Sequence, residues 1–423
     1  MINDNLLCAL LVALSGMTLS CSKSANDTDG NTHHDQGPGS NNDHHGRFDQ
    51  LGISDSFCAL RSSSTDPLPE MINTGSLNDP NDHDCDQVVV QPGDAEAPEI
   101  CMLLRERIDI EQGTTIRATG TRALMLAAID GFNIDGTVDV SAASGANGPG
   151  VIEGLAGQAD AAVVGDTLVA AGSGGGGFGT PGGKGGDLKS QGGSPVRGTA
   201  AGRVYGNDAL IPLLAGSSGG TQQLVKSSAL DRFVPKQNAG GALALSSCGS
   251  MQLGSNAAVL ALGDGGGVAP LMGQEEIAGG GGGGSGGGIW LAAEDIFFVE
   301  GARIIANGGS GSGGPQLEFI NASTGSFKLG KSTPGNPGRA DTEPAEGSEG
   351  VGASGRGGDG CSLSADAKAG EIQGDSPSDQ RHSGGGGGGG CGRIRINVED
   401  PQRLDLSAVI VSPAPSTGTI LVP

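Results

Sequence analysis

Asp79, Asp82, Asp84 and Asp86 alternate with Asn78 and Asn81 beside Cys85. Hard oxygen donors at that density suit Ca²⁺, with Asp82, Asp84 and Asp86 as candidate ligands. Read as an EF-hand loop from Asp82, the segment has Gln87 where the turn needs glycine and Gly93 where a bidentate Glu is needed. Only a looser Ca²⁺ site survives, in competition with a polar turn, and no other cofactor is expected. His33-His34-Asp35 and Asp43-His44-His45 form a second set. His33, His34, His44 and His45 are four of the chain's six histidines, and imidazole suits Zn²⁺, Cu²⁺ or Ni²⁺. Nothing around them organises a site, and a solvated linker is the simpler expectation.

Other patterns fail in context. Gly283–Gly287 fits G-x-S-x-G around Ser285, but inside a glycine run and not between a strand and a helix. Gly182-Gly183-Lys184 lacks a P-loop's leading glycine, replaced by Phe178, and its Ser or Thr, replaced by Gly185. Asp130, Asp135 and Asp139 are the carboxylates best placed for acid–base work on a polysaccharide. The first two recur as Asp295 and Glu300 in a later copy of the same pattern, while Asp139 aligns with Ile304. One Trp and one Tyr leave few platforms for sugar rings. The sequence therefore predicts no catalytic residues, and a polysaccharide-binding or polysaccharide-cleaving β-helix protein is the alternative.

The elements that must carry these residues are unusual in composition. Of 423 residues, 82 are Gly and 21 Pro, and only 35% are hydrophobic, so core-forming material is thin. Glycine loses the most backbone entropy on folding, so so much of it calls for regular backbone hydrogen bonding or remains unfolded. With 24 basic against 47 acidic residues the net charge is −23, which argues against nucleic acid as a partner.

Residues 6–19, LLCALLVALSGMTL, are an apolar run of signal-peptide length followed by Ser20-Cys21. A small residue before cysteine, with a polar stretch after it, resembles a bacterial lipobox. That resemblance implies removal of residues 1–20, lipidation of Cys21, and a membrane partner through the anchor. Ser22 after the cysteine favours an outer-membrane or cell-surface destination; without lipidation the protein is expected to be secreted. Cys58, Cys85, Cys101, Cys248, Cys361 and Cys391 are then an even set in an oxidising compartment, with pairing left open.

Residues 21–50 read as a disordered tether, 51–98 as a small irregular cap and 99–423 as a glycine-rich repetitive β domain. Gly113-Thr-Thr-Ile-Arg-Ala-Thr-Gly120 matches Gly301-Ala-Arg-Ile-Ile-Ala-Asn-Gly308. Leu124–Asp130 matches Ile289–Asp295, with Phe132 opposite Phe297. Weaker copies begin at Ala242 and Arg393. The predicted fold is all-β, a parallel β-solenoid (β-helix-like) with long glycine-rich loops. The step from Gly113 to Gly136 suggests a coil of about 23 residues, and the doubled step from Gly254 to Gly301 suggests two coils. The tracts around 172–193, 265–288, 346–360 and 383–392 read as loops or as semi-ordered polyproline-II layers on its flank.

Taken in order, the lipobox, the tether, the GTTIRATG, GGALALSSCGSMQL and GGGGSGGGIWLAAEDIFF segments and the terminal GGGGGGGCGRIRIN resemble glycine-rich, uncharacterised lipoproteins of myxobacteria and related bacteria. The resemblance implies an envelope location and repetitive β-structure. It supplies no activity. A structural or adhesive role, with an extracellular polysaccharide or cell-surface partner, is the expectation.

Overall fold

The computed structural model describes Cys58 and residues 66–76, 79, 81–92, 97–143, 145–152, 170–188, 196–220, 223–224, 232–233, 237–268, 279–321, 326–329, 332–372 and 380–420. Apolar residues at consecutive positions, as in Ala-Leu-Met-Leu-Ala-Ala at 123–128, suit strands buried on both faces and paired in parallel. The first strands are β1 (Met71–Asn73), β2 (Gln87–Val89), β3 (Ile100–Ile110), β4 (Thr115–Thr119), β5 (Ala123–Ile134) and β6 (Thr137–Asp139). A small antiparallel pair, β7 (Gln223–Leu224) and β8 (Arg232–Phe233), precedes β9 (Ala242–Ser247), β10 (Ser250–Leu253) and β11 (Ala258–Leu260). After β12 (Gly288–Ala292), β13 (Ile296–Phe298) and β14 (Arg303–Ile305) comes a separate antiparallel sheet of β15 (Gln316–Asn321), β16 (Ser326–Leu329) and β17 (Gln380–His382). The chain closes with β18 (Arg393–Val398), β19 (Ile410–Ser412) and β20 (Ser416–Thr419).

Two sheets organise the fold. One is parallel throughout, in the order β1-β4-β6-β11-β14-β19. The other runs β13-β10-β5-β9-β12-β18-β20, with β3 parallel to β5 and β2 antiparallel to β3. Along the chain one unit supplies a strand or strand pair to the second sheet and then a strand to the first, and successive units stack in register. Leu124, Leu243, Ile289 and Ile394 form one row, and Leu126, Leu245, Leu291 and Ile396 the next. These rows bury with Val138, Val259 and Ile304 of the first sheet in a core between the sheets. Alternate residues, among them Met102, Met125, Ala244 and Trp290, face the other way and bury against Phe178, Leu213 and Leu214.

Two details of the sequence-derived repeat are corrected. Phe132 lies beside Met251 and Met251 beside Ile296, so Ile296 and not Phe297 is its equivalent. The path from Ile289 to Ile296 is one residue shorter than the equivalent path from Leu243 to Met251, which slips the register and leaves Phe297 54% exposed. The doubled step from Gly254 to Gly301 is one unit and not two coils, because β11 pairs directly with β14. The extra length is an excursion through glycine.

The described glycine tracts of these excursions are not loops. Residues 383–392 run through the middle of a bundle of glycine tracts and repeat their contacts every third residue, the period of a polyproline II helix, which has no internal hydrogen bonds. The N–H groups of Gly387 and Gly390 donate to the carbonyls of Ser173 and Gly176, those of Gly386 and Gly389 to Ser312 and Gly309, and those of Gly385 and Gly388 to Glu371 and Lys368. In return the carbonyls of Gly385 and Gly388 accept from Gly186 and Gly183. Those of Gly384 and Gly387 accept from Gly280 and Gly283, and those of Gly386 and Gly389 from Gly358 and Cys361. One backbone thus bonds to six neighbouring tracts. Tracts 279–288 and 306–314 are surrounded in the same way.

Such packing leaves no room for side chains. A Cβ at Gly388 would sit 1.9 Å from the Asp359 carbonyl oxygen, and one at Gly386 1.9 Å from that of Gly281. Where the series 385, 388 reaches 391, the residue is Cys391, and its side chain becomes the Cys361–Cys391 disulfide to the neighbouring tract. Cys58–Cys248 and Cys85–Cys101 complete three disulfides, tying the segment before β3 to the sheets. Asp359, 6% exposed, clasps the Gly347 N–H at 2.8 Å, Lys368 Nζ at 2.7 Å and Arg356 Nη2 at 2.9 Å. Burial pushes its carboxyl pKa up, but these partners together hold it below the usual value.

Gly388→Ala should therefore destabilise the protein by roughly 3 kcal/mol or more, as overpacking does when backbone must move. Gly145→Ala, where a Cβ meets nothing within 4 Å and φ is +89°, should cost only about 1 kcal/mol. Denaturant midpoints of the two variants check the difference, and equal midpoints would contradict close packing in the bundle.

Candidate functional site

Two of the carboxylates that the sequence made candidates for a cation site are taken up by partners within the protein. Asp84 Oδ2 accepts the Asn73 N–H at 2.7 Å, and Asp86 Oδ2 takes both the Leu104 N–H and Arg105 Nη1 at 2.7 Å. Asp82 donates its backbone N–H to Asp79 in a turn. Among the described residues no group of three or more His, Cys, Asp or Glu is arranged to hold a metal ion. Cys21, His33, His34, His44 and His45 lie outside the described residues. Asp135 is engaged by Asn256 and Asp139 by Arg117 and the Ser141 N–H, so each carboxylate keeps its own partners. Ser285 is buried in the glycine bundle, donating to the Gly286 carbonyl and accepting from the Ser217 N–H.

A different place stands out once the strands are in register. On the outward face of the larger sheet one row reads Ile100, Ala123, Ala242, Gly288, Arg393 and the next Met102, Met125, Ala244, Trp290, Arg395. Four units put apolar or small residues there and the fifth puts two arginines. Asn397 continues the polar series beside Ala292. The sequence pattern Arg-Ile-Arg-Ile-Asn held this signal, since its alternation matches the buried Ile face of the other copies and reverses their apolar second face.

The Arg393 guanidinium is fixed from several sides. Its side chain is 11% exposed and pairs with Asp208, Nη2 donates to the Tyr205 carbonyl at 3.2 Å, and Cζ lies 5.6 Å from the centroid of the Phe178 ring. Nε is buried without a protein partner. Tyr205 packs on Phe178 with centroids 4.8 Å apart and donates its hydroxyl to the Ala215 carbonyl at 2.6 Å; burial pushes its phenol pKa well up. The chain's one tyrosine is thus a support for the arginine and not a free surface ring. Beside it a cleft of about 290 Å³ is lined by Thr180, Asp208, Arg393, Pro413, Pro415 and Ser416 among others.

The outer glycine tracts supply the rest of the surface. They turn every third residue outward, as Pro181, Lys184 and Asp187 on one tract and Arg197, Ala200 and Arg203 on its neighbour. No helix among the described residues is long and apolar enough to cross a membrane. No protein-family model, curated protein or solved structure matches the chain.

His382 is a buried titratable group away from this cleft. It is 1% exposed, with Nδ1 3.3 Å from Ser354 Oγ and Nε2 without a protein partner. Burial lowers its pKa from 6.5, outweighing a backbone hydrogen bond with Val351 that raises it. Below pH 6.5 the unfolded chain gains a proton that the folded chain resists, so this contribution to stability is complete above 6.5 and is lost as pH falls through the lower folded value. His382→Gln should flatten that loss, seen as a smaller drop in denaturant midpoint than wild type shows on acidification from about pH 7.5 to about pH 5.5.

Proposed function

We propose that the chain is an exported bacterial envelope protein, anchored by a lipid on Cys21, whose folded part serves a structural or adhesive role at the cell surface without catalysis. The observation that carries this reading is the pairing of all six cysteines between Cys58 and Cys391 into three disulfides, a pattern of oxidising, extracytoplasmic compartments. The apolar run before Ser20-Cys21 and the polar stretch after it support the anchor. Stacking of successive units in parallel register supports a β-solenoid reading of the sheets. Adhesion to extracellular polysaccharide is the form of the role that the polar cleft favours.

Metabolic labelling with an alkyne fatty acid in cells expressing the full-length protein, combined with protease shaving of intact cells, tests the anchor. Wild type should incorporate label and be shaved, and Cys21→Ala should lose the label. Unlabelled wild type released into the medium would contradict the anchored reading.

A further inference from the structure

Arg395 sits at the strand where the repeat turns polar. It is half-buried, its Nε donates to Asn397 Oδ1 at 2.8 Å, and no carboxylate among the described residues lies within ion-pair distance of it. Across the pair with β20 its guanidinium occupies the space that a side chain at residue 418 would fill: a Cβ on Gly418 would collide with Arg395 Nη2. Burial lowers the Arg395 pKa, and the charge of Asp208 only partly opposes this. Asp208, whose side chain is 81% exposed at the mouth of the cleft, pairs with Arg393 and stays beyond ion-pair distance of Arg395.

This is an anomaly of charge. A chain with 47 acidic and 24 basic residues has carboxylates to spare, yet among the described residues this partly desolvated cation has no carboxylate partner, at a cost that a bound anion would offset. Arg395 stands next to the cleft and not in its lining, which its β20 partner Ser416 joins. There Asp208 accepts hydrogen bonds, Ser416 adds a hydroxyl and the rings of Pro413 and Pro415 add apolar edges. A simple inorganic anion has no use for the carboxylate or the prolines. A ligand that joins a negative group to hydroxyls and C–H faces uses all of them, and about 290 Å³ is near the lower limit of ligand pockets, the size of a small ring. Breakdown of an otherwise regular repeat is also where a function grafted on a fold is expected.

We propose that the Arg393–Arg395 face of β18, with Asp208 and the adjoining cleft, binds an acidic sugar unit, the carboxylate of the sugar directed to Arg395 and its hydroxyls to Asp208. The site deepens the adhesive reading above by naming the substrate class as acidic polysaccharide.

Titration calorimetry of the purified full-length protein with a galacturonate trisaccharide, and with its methyl ester as the uncharged comparison, tests the site. The acid should bind, the ester should bind about tenfold or more weakly, and Arg395→Gln should weaken the acid by a similar factor, the loss of one charged hydrogen bond. Gly418→Ala approaches the same guanidinium from the facing strand and should also weaken binding, so the test stands if Arg395→Gln fails to fold. No binding of the acid, equal binding of acid and ester, wild-type affinity in a folded variant, or competition by inorganic phosphate as strong as by the trisaccharide would each overturn the proposal. Fatty-acid labelling is independent of all these results: labelled protein that ignores the trisaccharide fails this proposal alone, and unlabelled protein that binds it fails the anchor alone.

Discussion

The constraint on which this structure depends is the distance between neighbouring backbones in the glycine bundle. A polyproline II chain satisfies none of its own hydrogen bonds, so tracts 279–288, 306–314 and 383–392 can be buried only if neighbours on every side take their N–H and C=O groups. Neighbours come that close only without Cβ atoms. Glycine's entropic cost, about 0.5–1 kcal/mol per residue relative to alanine in regular structure, is accepted because each buried peptide group then finds a partner, a gain of about the same size. Side chains enter the interior where they bond in place of backbone, as Ser285, Asp359 and the Cys361–Cys391 bridge do.

The two sheets and the bundle solve complementary problems. Apart from the polar outward side of β18, the larger sheet is apolar on both faces and needs cover on each. Its inward face packs against the smaller sheet, and its outward face receives Phe178, Leu213 and Leu214 from the excursion between β6 and β9. The described parts of the excursions are thereby part of the core, and their glycine tracts are hydrogen-bonded to one another beside the sheets. Disulfides fix the ends of this path at low side-chain volume, an advantage in a chain that is only 35% hydrophobic.

Much of this was legible in the sequence, for physical reasons. The matched segments at 124 and 289 announced parallel, in-register strands because equivalent rows must present equivalent side chains, and Leu124 and Ile289 do share a row through Leu243. Phe297 misled because a path one residue shorter between equivalent rows shifts register without altering composition. The glycine tracts admitted loop and layer readings alike, since their order comes from six neighbours distant in sequence and not from any local preference. The Asp82–Asp86 segment looked like a ligand set because spacing along a chain says nothing of Arg105 or Asn73 arriving from elsewhere. The polar face of β18 was visible as alternating Arg and Ile, but its meaning required the other strands of the row.

The outward turn of every third residue on the outer tracts gives the surface a grammar of its own. Along one tract, displayed groups stand about 9 Å apart, and this interval is set by backbone geometry and not by what is displayed. Pro181, Lys184 and Asp187 differ in every chemical respect yet occupy equivalent steps. A sequence drifting over time can therefore rewrite the letters on this face while two of every three positions stay fixed as glycine or another small residue, so that the spacing of the display outlasts its chemistry.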